Sequence, residues 1–178
     1  MKNKEYPTVV IDNFFKNPEL IREFALSLPF EKSPDGRWPG ERSPMLNEID
    51  EDLVKNIAAK ILSIYFDLKT RVYWDDIQMT FQKTRQYSNE KDSPQNKGWI
   101  HIDEDKCFAG VIYLTPDINL ETGTSIYKLK DTHKNYNTNG GQEEKLNLYK
   151  DGIYNKKEYD KQILDLHDKF ELITDVKN

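Results

Sequence analysis

Residues 98–105 read GWIHIDED, followed by CFAGVIYLTP at 107–116 and GTSIYKL at 123–129. Each run is short, apolar and bounded by turn-forming residues, the pattern of closely spaced antiparallel strands. On a strand, residues two apart share a face. His101 and Asp103 therefore project together, while Ile100 and Ile102 project oppositely. Upstream, Ile77, Met79 and Phe81 alternate with Gln78, Thr80 and Gln82, again the period of a half-buried strand. The polar stretch SNEKDSPQNKG at 88–98 separates that strand from the next.

Further out, the amino-terminal part reads differently. Residues 6–15 (YPTVVIDNFF) suggest a short strand around Val9–Ile11 running into a helix start. Asn17 caps, Pro18 fits the first helical position, and Leu20, Ile21, Phe24, Ala25 and Leu28 form one stripe until Pro29 stops the helix. Residues 31–47 are a loop dense in Pro and Gly. A second helix is expected from about Asp50 to Tyr65, with Leu53, Val54, Ile57, Ala58, Ile61 and Leu62 inward. Residues 131–155, rich in Asn, Lys and Gly, read as a long excursion. Residues 157–169 carry weak helical spacing through Tyr159, Ile163 and Leu166. Two helices leading into short strands predict one domain over 1–178, mainly β, with helices supporting an antiparallel sandwich or barrel.

Composition narrows the classes. The 26 Lys and Arg against 31 Asp and Glu leave a net charge of −5, which argues against a nucleic-acid partner. An aromatic share of 12% is too high for a disordered chain. No apolar run approaches a membrane span, and MKNKEYPTVV lacks a signal peptide's apolar stretch. Cys107 is the single cysteine, so no internal disulfide framework exists, and it reads as a small residue in or beside a strand. These features predict a cytoplasmic domain with no membrane partner.

His101 and Asp103 carry the chemistry. An imidazole and a carboxylate side by side can hold two adjacent positions of an octahedral ion. With a second His they make the facial triad of non-haem Fe(II), leaving three positions open for a bidentate keto acid and dioxygen. Zn(II) would fit such ligands but could not activate oxygen. The triplet alone is a common coincidence, and an exposed His–Asp pair on a strand is the bland alternative.

GWIHIDED followed by AGVIYLTPDINLETGTSIYK resembles the central portion of the prolyl-4-hydroxylase-like Fe(II)/2-oxoglutarate-dependent dioxygenases. In that family an HxD strand precedes a strand ending in Tyr-Leu, a short acidic turn and a Gly-containing turn. VIDNFFKNPELIREFALSLPF, RWPGER and TFQK are similar to short members from phage and marine microbial genomes, so the likeness covers most of residues 6–130. It implies a double-stranded β-helix (jelly roll), Fe(II) held by His101 and Asp103, and 2-oxoglutarate as cosubstrate with ascorbate as an accessory reductant. Tyr113 matches the tyrosine that in some relatives bonds the distal carboxylate of 2-oxoglutarate, and it equally reads as a core aromatic. Gln82 and Tyr87 are weaker cosubstrate-pocket candidates. Trp38 and Arg42 lie in a loop that could close over a peptidyl or small-molecule substrate. A carboxylate at Asp103 points to C–H hydroxylation, because halogenating relatives carry a small residue there.

The family pattern also needs a distal His on a later strand and an Arg or Lys about ten residues beyond it. Only His133 and His167 follow the HxD triplet. His133 lies in a loop-like stretch. His167 has Lys177 ten residues later, but ILDLHDKFE reads as a helix. FELITDVKN at 170–178 resembles the segment that leads into the distal-His strand. The expectation is therefore a chain that stops early, with an incomplete site, no turnover of its own, and an exposed strand edge that a homodimer could cover. A non-catalytic jelly-roll binding module and a phage-like structural module are the competing readings.

Overall fold

In the computed structural model, the described residues are 8–32, 40–69, 76–84, 89–90, 92–101, 108–116, 122–136 and 156–177. Helix α1 (Pro18–Ser27) starts with Pro18 in its first turn, where the missing N–H costs no hydrogen bond. Asn17 occupies the cap position without a side-chain cap bond. Of the predicted stripe, Ala25 is buried, Ile21, Phe24 and Leu28 are half-buried, and Leu20 faces solvent.

Strands β1 (Glu31–Lys32) and β2 (Glu41–Arg42) pair antiparallel, and β2 also pairs with β3 (Gln82–Lys83). The predicted strand at 77–82 is realised mostly as extended chain running beside 43–46. Ser43 N–H donates to the Phe81 carbonyl at 2.9 Å, Phe81 N–H donates to Ser43 Oγ at 3.0 Å, and Leu46 N–H donates to the Met79 carbonyl at 2.8 Å. Ser43 is buried, and these bonds satisfy polar groups that would otherwise be costly there. The short helix α2 (Leu46–Ile49) follows, then α3 (Glu51–Tyr65), whose N-terminus is capped by Asp50 Oδ1 accepting from Leu53 N–H at 2.9 Å. Val54, Ile57 and Ala58 are buried, with Leu53, Ile61 and Leu62 half-buried beside them, which is the predicted face. Phe24 of α1 meets Phe81 edge-on at 6.0 Å, tying the first helix to the small sheet.

The second half has its own core. Strand β4 (Gly123–Leu129) pairs antiparallel with β5 (Phe170–Lys177) from Gly123↔Lys177 to Leu129↔Phe170, with a bulge between Ile126 and Tyr127. Helix α4 (Lys156–Lys169) runs directly into β5 and buries Tyr159, Ile163 and Leu166. Those are the three residues whose spacing predicted it. The cluster of Tyr159 and Ile163 takes Trp99 as its neighbour. Tyr65 and Phe66 at the end of α3 contact the Phe108 ring at 5.0 and 6.1 Å, linking the two halves.

The mainly β jelly roll is not what forms. The described residues make a mixed α/β arrangement with one three-stranded and one two-stranded sheet. Residues 98–101 and 108–116 belong to no strand, and neither does Val9–Ile11, whose side chains are exposed. The physical reason lies in what alternation reports. A period of two says that every second side chain is apolar, and it does not supply a backbone partner. Val111, at 63% exposure, shows that this run lacks a covering layer among the described residues. Among the described residues, only GTSIYKL found a full ladder, opposite a segment that alternation had not singled out.

Candidate functional site

The site is built where the 98–101 segment leaves a 3-10 turn. Pro94–Lys97 form that turn, and Gly98 ends it, its N–H bonding the Gln95 carbonyl at 3.4 Å. Gly98 has φ +75°, a conformation that L side chains rarely adopt. A Cβ there would meet nothing within 4 Å, so the demand for glycine is conformational rather than spatial. The chain reversal throws Trp99 onto α4, where its ring lies 5.7 Å from that of Tyr159.

His101 follows two residues later and is exposed. Its Nδ1 lies 3.0 Å from the Trp99 carbonyl oxygen. A carbonyl can only accept, so Nδ1 must carry the proton in this bond. The neutral ring then holds its lone pair on Nε2. A backbone carbonyl that fixes one ring nitrogen is the kind of contact that orients a metal-binding imidazole. Asp103 lies outside the described residues, as do Tyr87 and Trp38.

The other candidates are spread over two places. Arg42 on β2 and Gln82 on β3 are register partners, and Arg42 Nε donates to Gln82 Oε1 at 3.0 Å. Tyr113 is half-buried, and its hydroxyl lies 2.5 Å from Thr124 Oγ1 near the start of β4. The hydroxyl of Tyr113 thus joins the 108–116 segment to the β4–β5 sheet.

The two later histidines have partners of their own. His133 Nδ1 is 3.0 Å from Thr132 Oγ1 within its own turn. His167, in the last turn of α4, places Nε2 3.1 Å from the Gly98 carbonyl and its ring edge-on to Tyr127 at 5.4 Å. Burial pushes the His167 pKa down, Lys97 adds to that, and the Gly98 bond opposes it. Among the described residues no three His, Cys, Asp or Glu side chains gather closely enough to hold a metal ion. A cleft of about 300 Å³ is lined by Trp99, Tyr136, Gln162, Asp165, Leu166 and Lys169, and His101 is not among its lining residues.

The whole of residues 1–178 matches one family profile. The chain belongs to DUF6445, a family of unknown function. No curated protein and no solved structure matches it. No helix among the described residues of this DUF6445 chain is long and apolar enough to cross a membrane.

Sequence reasoning did not find the part Trp99 and His167 play around Gly98. The only signals were the glycine before Trp99 and a histidine on the apolar face of a helix. Neither names its partner without the fold.

Proposed function

We propose that this chain belongs to an Fe(II)- and 2-oxoglutarate-dependent oxygenase, with His101 and Asp103 as two of its metal ligands and C–H hydroxylation of a peptidyl or small-molecule substrate as its reaction class. The observation that carries the reading is the His101 Nδ1 bond to the Trp99 carbonyl, which orients the ring as outer contacts orient metal-binding imidazoles. Donor chemistry and the order of the sequence pieces support this assignment without a jelly-roll frame.

Bound iron would supply the redox chemistry that couples oxidative decarboxylation of the keto acid to hydroxylation. The chain's own residues have simpler tasks. His101 offers a ring nitrogen oriented by the Trp99 carbonyl, and Asp103, two residues further along the sequence, offers a carboxylate. That carboxylate would take, on a bound iron, the place a halide would need. Tyr113, whose hydroxyl is held by Thr124, is the proposed partner for the distal carboxylate of the keto acid. Gln82, with Tyr87, is the weaker candidate for lining the cosubstrate pocket. Its carbonyl oxygen is turned to Arg42.

The test is 2-oxoglutarate binding by calorimetry under anaerobic conditions, with Mn(II) standing in for iron. Binding that requires Mn(II) and disappears in His101→Ala supports the assignment. Binding of neither metal nor keto acid would make the chain a metal-free binding or structural module instead.

A further inference from the structure

Gln162, Asp165, Leu166 and Lys169 stand at i, i+3, i+4 and i+7 on α4, the spacing of one helix face. Together with Trp99 and Tyr136 they line the cleft of about 300 Å³, a volume at the small end of ligand pockets. Asp165 and Lys169 are four residues apart with the acid first, the order in which helical side chains pair best. They do not pair. Lys169 Nζ lies instead over the Tyr136 ring, 4.5 Å from its centroid, and the Asp165 carboxylate meets no described residue. One cation and one anion thus border the same small cleft without neutralising each other.

Two further lining side chains hold unmet polar groups. The Trp99 indole N–H and the Gln162 amide carbonyl are shielded from bulk water and bond to no described residue. The amide nitrogen of Gln162 is already given to Glu158, so its carbonyl oxygen is the group left over. A donor and an acceptor left in this state are costly unless a partner arrives. Leu166 and the two aromatic rings supply the apolar part of the lining.

We propose that this cleft binds a free α-amino acid with an apolar side chain. Such a molecule carries an ammonium and a carboxylate on one carbon, which matches a lining that offers both signs of charge at close quarters. Its carboxylate would take Lys169 and the Trp99 N–H, and its ammonium would take Asp165 and the Gln162 carbonyl. Its side chain would lie against Leu166 and the rings of Trp99 and Tyr136. The proposal goes beyond the oxygenase reading and needs neither iron nor a keto acid.

The experiment is calorimetric titration of the full chain with L-phenylalanine and with L-leucine, in EDTA and without 2-oxoglutarate, so that failure of the oxygenase reading leaves the result intact. Two trimmed probes, 3-phenylpropanoate without the ammonium and 2-phenylethylamine without the carboxylate, are titrated alongside. At least one of the two amino acids is expected to bind. When it is phenylalanine, each trimmed probe should bind at least tenfold more weakly, the usual weight of a charge-assisted bond; when it is leucine, 4-methylpentanoate and 3-methylbutylamine serve as the trimmed pair. Asp165→Asn should lower the affinity for the amino acid about tenfold and remove its advantage over the probe without an ammonium. Lys169→Gln should do the same against the probe without a carboxylate. A structural role for either residue would not change which probe suffers. Both side chains reach solvent, and the comparison of probes on wild type decides the matter even where a variant loses helicity by circular dichroism. No binding of either amino acid at millimolar concentration, or equal binding of the amino acid and both trimmed probes, would overturn the proposal.

Discussion

The hydroxyl of Tyr113, in the 108–116 segment, and the hydroxyl of Thr124, the second residue of strand β4, lie 2.5 Å apart. One of the two donates, and the acceptor keeps its own O–H for a further partner. With Thr124 as the donor, the Tyr113 O–H is pre-oriented to be given to an anion. Tyr113→Phe is expected to raise the 2-oxoglutarate concentration needed for half-saturation about tenfold, the weight of one charge-assisted bond. Because the pair is solvent-accessible, the stability loss should stay near ~0.5–1 kcal/mol. Thr124→Val should cost similar stability with a smaller effect on keto-acid binding. Equal binding losses in both variants would show that the pair acts only as a structural tie.

A second prediction concerns the small sheet. Gly40 adopts φ +83°, and a Cβ there would overlap the Lys83 carbonyl of β3. Gly40→Ala therefore faces both a left-handed backbone penalty and a collision with backbone that cannot move without separating β2 from β3. A loss of about 2 kcal/mol or more in urea unfolding is expected. Gly98→Ala, with a similar φ but open space around it, should cost less, about 1 kcal/mol. If the two variants lose the same stability, the close approach at Lys83 contributes nothing.

How much of this was legible beforehand varies with how local the signal was. α1 and α3 follow from Pro18, Asp50 and a 3.6-residue apolar spacing, all of which act within a few residues. α4 was weaker, since its charged residues dilute the pattern, yet Tyr159, Ile163 and Leu166 marked the face that is buried. The sheets were a different matter. Alternation in residues 107–116 and 98–103 implied strands, but strand formation needs a partner far along the chain, and nothing within the segment specifies one. β5 illustrates the converse. Phe170–Lys177 pairs with β4 along its length except at Ile173, which the bulge skips, and Leu172 and Ile173 break its alternation there. At the site, the spacing of His101 and Asp103 was readable as chemistry. The Trp99 carbonyl behind His101 and the His167–Gly98 bond, 69 residues apart in sequence, required coordinates.

The burial of His167 also gives a pH dependence with a defined sign. Its folded-state pKa is lowered, chiefly by burial, so below about pH 6.5 the unfolded chain takes up more protons than the folded one. The stability associated with the neutral ring is complete above that pH and is lost as the pH falls through it. Wild type should therefore lose more Tm than His167→Gln between about pH 7.5 and 5.5. Parallel Tm curves for the two proteins would mean that His167 titrates as it does in the unfolded chain.

The core around α4 supplies a fourth check. Ile163 is fully buried against Tyr159 and Trp99. Ile163→Ala should cost about 2–5 kcal/mol, because the transfer loss is joined by a cavity that Tyr159 can only partly fill. Trp99 fluorescence should shift toward the red as water enters. A loss below about 1 kcal/mol would indicate that this cluster repacks easily, and that Trp99 is not firmly seated beside the site.

The account stands most directly on metal binding by His101 and Asp103. Anaerobic Fe(II) titration of the purified chain, followed by equilibrium dialysis, is the measurement to make on wild type, His101→Ala and Asp103→Ala. The predicted result is a single Fe(II) per chain in wild type, lost in both variants, with unfolding midpoints that stay close to wild type because neither substitution opens an apolar cavity. Fe(II) binding that survives both substitutions, or no Fe(II) binding by wild type at all, would contradict it.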